Sequence, residues 1–265
     1  MTGDPRRHAY GPAPAQCGDL RLPAGAGPCP VVILIHGGYW RARYGLDLMD
    51  GLGDDLARRG VASWNIEYRR VGEAGGGWPG TFQDVSRAAD TLRDLATRHP
   101  LDLARVVAVG HSAGGHLALW LAARPRLDPA ARRLLAPGPP DPPLAGVVGL
   151  AGVNDLALAW RLGLSNGAAG ELLGGGPDTV PGRYAAASPA ALLPLGVPQV
   201  LLHGSADADV PLELSTAYAA AATAAGDTVR LRELPGVDHF APIDPHSAAW
   251  GVALAELLPL LGRAP

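Results

Sequence analysis

Lysine is missing from this chain of 265 residues, so all 22 of its basic residues are arginines. That absence removes a Walker-type phosphate loop, a Schiff-base or pyridoxal lysine and a Ser-Lys dyad from the chemistry to be considered. Charge of either sign is scarce: charged residues make up 18% of the chain, 22 basic against 25 acidic, for a net charge of -3. No basic run or patch follows a phosphate backbone, so nucleic acid is not an expected partner. No apolar stretch reaches the ~20 residues of a bilayer span, and Met1 to Arg7 holds no apolar signal core. The expectation is a soluble, cytoplasmic protein without a membrane partner. Only two cysteines occur, Cys17 and Cys29, flanking a Gly/Pro turn. A cross-strand disulfide fits that spacing, but without an export signal two free thiols are the expected state. There is no His-Glu-x-x-His, no Cys-x-x-Cys and no acidic calcium loop, so neither a metal nor a cofactor is expected. Gly75, Gly77 and Gly80 have the spacing of a dinucleotide fingerprint, yet they lie well past the preceding strand with Trp78 and Pro79 between them, and read as a loop.

What the chain does have is 48% hydrophobic residues, 36 glycines and 26 prolines. Short apolar runs bounded by Gly or Pro alternate with longer amphipathic stretches, the pattern of an α/β domain with a mostly parallel central sheet and helices on both faces. Strands are expected at Val31 to His36, Val61 to Tyr68, Val106 to Gly110, Gly146 to Gly152, Gln199 to His203 and Val229 to Pro235. Helices are expected at Leu46 to Arg59, Phe82 to Arg98, Ala113 to Ala123, Leu212 to Ala225 and Pro245 to Leu261. Cys17 to Leu22, followed by the turn Pro23 to Pro28, reads as an antiparallel hairpin into the first long strand. Residues 1–265 read as one domain, with 1–9 a flexible tail. Two excursions break the rhythm, Pro125 to Leu144 and 154–196; the second reads as a small cap over the active site, with Trp160 a candidate roof.

The segment Val106 to Leu117 runs from a buried strand through Gly110-His111-Ser112-Ala113-Gly114 directly into a helix. This is the context of a nucleophile elbow, with Ser112 the candidate nucleophile. A Gly-rich turn with an N-capping serine is the plainer alternative. A serine hydroxyl needs a base, and His239, in the loop after the last strand, is the candidate among eight histidines. His36 and His203 end strands before glycine and read as loop braces, while His111 reads as turned away around the elbow. The base needs a carboxylate, and Asp207 and Asp209 both follow the strand Gln199 to His203; Asp207 is preferred because Asp209 suits a helix N-terminus better. Backbone N–H groups for an oxyanion are expected from Gly38 and Tyr39 in the loop His36-Gly37-Gly38-Tyr39-Trp40, and from Ala113. Aromatic residues amount to only 5%, yet Trp40, Tyr68 and Trp78 fall near these strand ends and are candidate substrate-binding residues. Arg41, Arg43, Glu67 and Arg69 lie close by.

These residues resemble the α/β-hydrolase family, in particular its branch with a His-Gly-Gly oxyanion loop, which includes hormone-sensitive-lipase-like esterases and kynurenine formamidases. The resemblance also includes Tyr10-Gly11 with Pro14, Gln16, Asp19, Leu20 and Pro23, then Gly110 to His116, Ser188-Pro189 and His203 to Pro211. It implies Ser112 as nucleophile, Asp207 as acid and His239 as base, acting on a small-molecule ester or amide. Tyr39 departs from the third glycine of many esterases, and the pair Tyr39-Trp40 is closer to the formamidases. Cleavage of small carboxylic esters is the first expectation, removal of an N-formyl group from an aryl amine the alternative, and a ligand-binding module without turnover a third. By the same resemblance the final helix and the edge strand are candidate faces of a homodimer.

Overall fold

Strands made of short Val, Ile and Leu runs must be covered on both sides, and the amphipathic segments between them supply that cover. The structure, a computed structural model, describes residues 5–25, 27–137 and 142–263. Its strands are β1 (Arg6–Ala9), β2 (Cys17–Arg21), β3 (Cys29–Ile35), β4 (Ala62–Ile66), β5 (Leu101–His111), β6 (Gly146–Leu150), β7 (Gln199–Gly204) and β8 (Val229–Leu234). They form one sheet in the order β1-β2-β4-β3-β5-β6-β7-β8. From β4 to β8 every neighbouring pair is parallel, while β1 and β2 run antiparallel at one edge.

Side chains alternate across a strand, and β3 shows what each face buries. Val32 and Leu34 join Leu52 and Leu56 of the helix Asp50–Arg58 and Trp250 and Leu257 of the helix Ala248–Leu260. Val31, Ile33 and Ile35 join Phe82 of the helix Gly80–Asp90, Leu117 and Trp120 of the helix Ala113–Ala123, and Tyr218 of the helix Glu213–Ala224. The chain reverses its direction of travel along the sheet after β4, so the carboxyl ends of β3, β5, β7 and β8 face one crevice, where open α/β sheets hold their ligands. At the two open edges, Arg7 of β1 grips Asp19 through two hydrogen bonds of 2.8 and 2.9 Å. Arg230 and Arg232 of β8 each reach Glu256 at 2.6 Å.

The structure corrects several expectations. β2 does not form a hairpin with β3: it pairs with β4, Leu20 opposite Trp64, because the crossover through the helix Asp50–Arg58 inserts β4 between them. Of the expected tail, residues 6–9 are an edge strand and residues 1–4 lie outside the described residues, as do residue 26 of the expected turn and residues 138–141 of the Pro125 to Leu144 stretch. Cys17 and Cys29 are separate, buried thiols. The 154–196 segment contains the short helices Leu156–Arg161, Ala168–Leu173 and Pro181–Ala187, and none of its residues lines the cavity that holds Ser112 and His239. The segment is docked on the helix Ala113–Ala123, where His116 and Trp120 donate to the carbonyls of Ala187 and Ala186, each at 2.9 Å. Trp160 lays its ring over Gly170 and Gly176 of its own segment while remaining exposed to solvent.

Candidate active site

β5 delivers Ser112 to the end of the sheet at φ 56° and ψ -120°, and the helix Ala113–Ala123 starts at the next residue. A non-glycine residue there carries roughly 1–3 kcal/mol of backbone strain, which persists only where the surroundings over-determine it. Here they do. The Ser112 N–H donates to the Leu150 carbonyl of β6 at 2.8 Å. A Cβ on Gly110 would lie 2.0 Å from the Gly114 carbonyl oxygen, and one on Gly114 would lie 2.0 Å from that of Ile35. The elbow therefore closes only with glycine on either side of the serine.

The loop after β3 lies against this elbow, with the position of a Cβ on Gly37 only 2.9 Å from the Ser112 Cβ. Gly38, Tyr39 and Trp40 follow with φ of 108°, 50° and 57°, three successive residues in the left-handed region. Burial, and then the carboxylates of Asp209 and Asp207, push the Tyr39 phenol up to about 12, so it remains a donor, and it donates to the Asp209 carbonyl at 2.5 Å. That bond ties the loop after β3 to the loop after β7.

On the other side, His239 Nδ1 donates to Asp207 Oδ2 at 2.6 Å. Asp207 Oδ1 accepts the N–H groups of Asp209 and Val210 at 2.9 and 2.8 Å. Burial alone would raise the Asp207 carboxyl, but hydrogen bonds from His203 and His239 and from the Val210 N–H outweigh it and hold the group well below the usual carboxylate range. Asp207 thus accepts as a full carboxylate and keeps the Nδ1–H tautomer of His239, leaving Nε2 as the basic nitrogen. Asp209 instead offers its backbone to Tyr39. Among the described residues, Asp207, Asp209 and His239 are also the one acidic and histidine cluster whose ligand atoms fall within 4.8 Å of one another. A cation held there would have to break the Asp207–His239 hydrogen bond.

Ser112 and His239 meet in a cavity of about 50 Å³ whose wall also includes Gly38, Tyr39, Tyr44 and Phe240. His111 shares this wall, contrary to the sequence expectation that it turns away. Its Nε2 donates to the His239 carbonyl at 2.8 Å and its ring centre lies 4.5 Å from that of His239. Burial, reinforced by His239, pushes it down to about 3, so it is a neutral spacer behind the base. Nothing in the sequence separates this histidine from one facing away, because the strained turn decides the direction. Tyr44 and Phe240 were also missed: each belongs to a loop whose path is set by contacts distant in sequence.

The three aromatic candidates for substrate contact do not reach the cavity. Trp40 is buried, with Nε1 donating to His116 Nδ1 at 3.2 Å. Tyr68 is buried against His36, ring centres 4.4 Å apart, and its hydroxyl donates to the His36 carbonyl at 3.0 Å. Trp78 packs on Phe82 at 5.7 Å. All three pack the loops down on the sheet. The nearby charges are likewise engaged in the framework: Arg41 with Glu171, Arg69 with Asp84, and Glu67 with His36.

A mostly parallel sheet of this order, with a strained serine between β5 and its helix and an Asp–His pair on the last two strand ends, is the α/β-hydrolase fold. Within that fold the chain belongs to the BD-FAE family, an esterase family whose model matches residues 19–221. Solved structures agree on the fold. A truncated carbohydrate esterase from gut microbiota superposes with a TM-score of 0.81 at 20% identity, covering 99% of this chain and 97% of that chain. Esterase B from Lactobacillus rhamnosis gives 0.81 at 23% identity over 97% of this chain and 85% of its own. Thermogutta terrifontis esterase 2, phosphonylated by sarin, gives 0.77 at 21% over 98% of this chain and 96% of its own. No curated protein matches the sequence. Among the described residues, no helix is long and apolar enough to cross a membrane.

Proposed function

We propose that the chain is a serine hydrolase that cleaves small carboxylic esters through an acyl-enzyme. The observation that carries this reading is the 2.6 Å bond from His239 Nδ1 to Asp207, with His239 and Ser112 on the wall of one small cavity. In the proposed cycle His239 Nε2 takes the Ser112 proton as Oγ attacks the ester carbonyl, and the new oxyanion is met by the N–H groups of Gly38, Tyr39 and Ala113. His239 then protonates the leaving alcohol. Water, deprotonated by the same nitrogen, releases the acid and restores Ser112. Asp207 stabilises the imidazolium at both stages.

A cavity of about 50 Å³ suits a short acyl group, and the carbohydrate esterase among the structural neighbours supports the same substrate chemistry. The aryl-formamide alternative drew on Tyr39-Trp40, of which only Tyr39 lines the cavity. Acetyl and butyryl p-nitrophenyl esters, an acetylated sugar and N-formylkynurenine, assayed side by side, separate the readings. Ester turnover that falls about 10⁶-fold in Ser112→Ala is expected. Formamide cleavage exceeding ester cleavage would replace this reading by the alternative. Ligand binding without turnover, and without stoichiometric labelling of Ser112 by a fluorophosphonate, would make the chain a binding module.

A further inference from the structure

The buried histidines differ in what their two ring nitrogens face. His116 accepts from Trp40 at Nδ1 and donates to Ala187 at Nε2, and His203 meets the Ser215 hydroxyl at Nδ1 at 2.7 Å and, at Nε2, the Val210 carbonyl at 2.8 Å and Asp207 Oδ2 at 3.3 Å. In each a neutral ring satisfies its partners, one nitrogen accepting and the other donating. His36 is different. Its Nδ1 lies 2.8 Å from the Gly37 carbonyl oxygen and its Nε2 lies 2.7 Å from Glu67 Oε1. Both partners are oxygens, and a neutral ring would set a lone pair against one of them.

The remaining escape, a protonated Glu67 donating to His36, is closed by the other donors on that carboxylate. Oε1 also accepts the Tyr68 N–H, and Oε2 accepts the Leu46 N–H at 3.0 Å and Arg70 at 3.3 Å. Burial pushes Glu67 up, but His36, Arg70 and the Tyr68 N–H outweigh it and hold the carboxyl below its ordinary value. The neutral Tyr68 phenol is stacked on the ring, and Arg70, which reaches Glu67, is shared with Glu73 at 2.9 Å. Arg70 also donates to the carbonyl of Tyr44, a wall residue of the cavity. Glu67 therefore holds the chain on both sides of the loop, at His36 and at Tyr44 to Leu46.

We propose that His36 is a buried imidazolium, held by Glu67, that positions the oxyanion loop and polarises its first donor. The chemistry is direct. The Gly37 carbonyl that accepts from His36 and the Gly38 N–H are two ends of one peptide group, so a charged donor on the oxygen makes that N–H a stronger donor. The pair acts through the peptide and touches no substrate, and the functional part of the inference rests on the proposed esterase reading.

Two measurements test it. Proton–nitrogen correlation spectra of the histidine rings at pH 7.5 should show two N–H resonances for the ring in contact with Tyr68; one resonance overturns the charge. In Glu67→Gln, kcat should fall about tenfold or more, with KM within about twofold and affinity for a trifluoromethyl ketone falling by the same factor as kcat/KM. Glu67→Asp, which keeps the charge, should recover part of the loss, and this separates positioning from a folding defect. A Glu67→Gln enzyme with kcat within about twofold of the parent overturns the positioning role. If the parent turns over no ester, it is the esterase reading that has failed, and the ring spectrum still decides on the charge of His36.

Discussion

The nucleophile half of the site and its acid–base half are held by different means. Gly38, Tyr39, Trp40 and Ser112 take their places through backbone: all four have positive φ, and glycines beside them admit carbonyls at distances a side chain would block. Asp207 and His239 take theirs through side-chain hydrogen bonds, one of 2.6 Å between the two loops and two of 2.8 and 2.9 Å within the loop after β7. A backbone-built half tolerates no added atom at its glycines. A hydrogen-bonded half tolerates changes of volume but not loss of an acceptor.

Breaking the second half first gives the largest effect. Asp207→Asn keeps the shape but offers an amide where His239 needs a carboxylate, so kcat should fall about 10⁴-fold while near-ultraviolet circular dichroism stays native. A loss below about tenfold would mean that another acid serves His239. In the first half, Gly114→Ala forces a methyl against the Ile35 carbonyl and should cost about 4 kcal/mol or more in urea unfolding. Gly251→Ala is its control: on the exposed side of the helix Ala248–Leu260 nothing lies within 4 Å of the added Cβ, and it should stabilise by about 0.5–1 kcal/mol.

The comparison sharpens with pH. Burial lowers His111 to about 3 and His116 to about 4, so both are neutral in the fold, whereas the unfolded chain protonates them below about 6.5. Stability is then whole above about pH 6.5 and falls as the pH drops towards 4, by a few kcal/mol in all, because the unfolded state binds more protons. His116→Gln should flatten the fall in urea midpoint between pH 7 and 4.5. The smallest effect is expected where the halves touch. Tyr39→Phe removes only the bond to the Asp209 carbonyl, and about 1 kcal/mol of stability with it. A larger loss of kcat than of stability would show that this bond aligns the two halves.

The same division explains what the sequence made legible. Ser112, Gly110 and Gly114 could be read because backbone that must pass close to backbone demands glycine, and glycine spacing is written in the chain. Val31 to His36 and Ala113 to Ala123 could be read because burial on both faces leaves an unbroken apolar run, within a residue or two of the observed bounds. Asp207 was preferred to Asp209 on helix-start grounds, and the structure joins it to His239 for a different reason, the turn that feeds two N–H groups into Oδ1. Trp40 was misplaced because one sequence does not reveal which side of a left-handed turn faces water, and Tyr68 because nothing in the sequence pairs its ring with that of His36. The partner of β2 was misread since pairing across a crossover depends on where an intervening helix deposits the next strand.

Arginines stand at both open edges of the sheet, Arg6 and Arg7 on β1, Arg230 and Arg232 on β8. A second copy that tried to extend the sheet would bring like charges within one strand spacing, ~4.8 Å. The arrangement works against ribbon growth and aggregation during synthesis, when eight strands from distant parts of the chain wait for their neighbours.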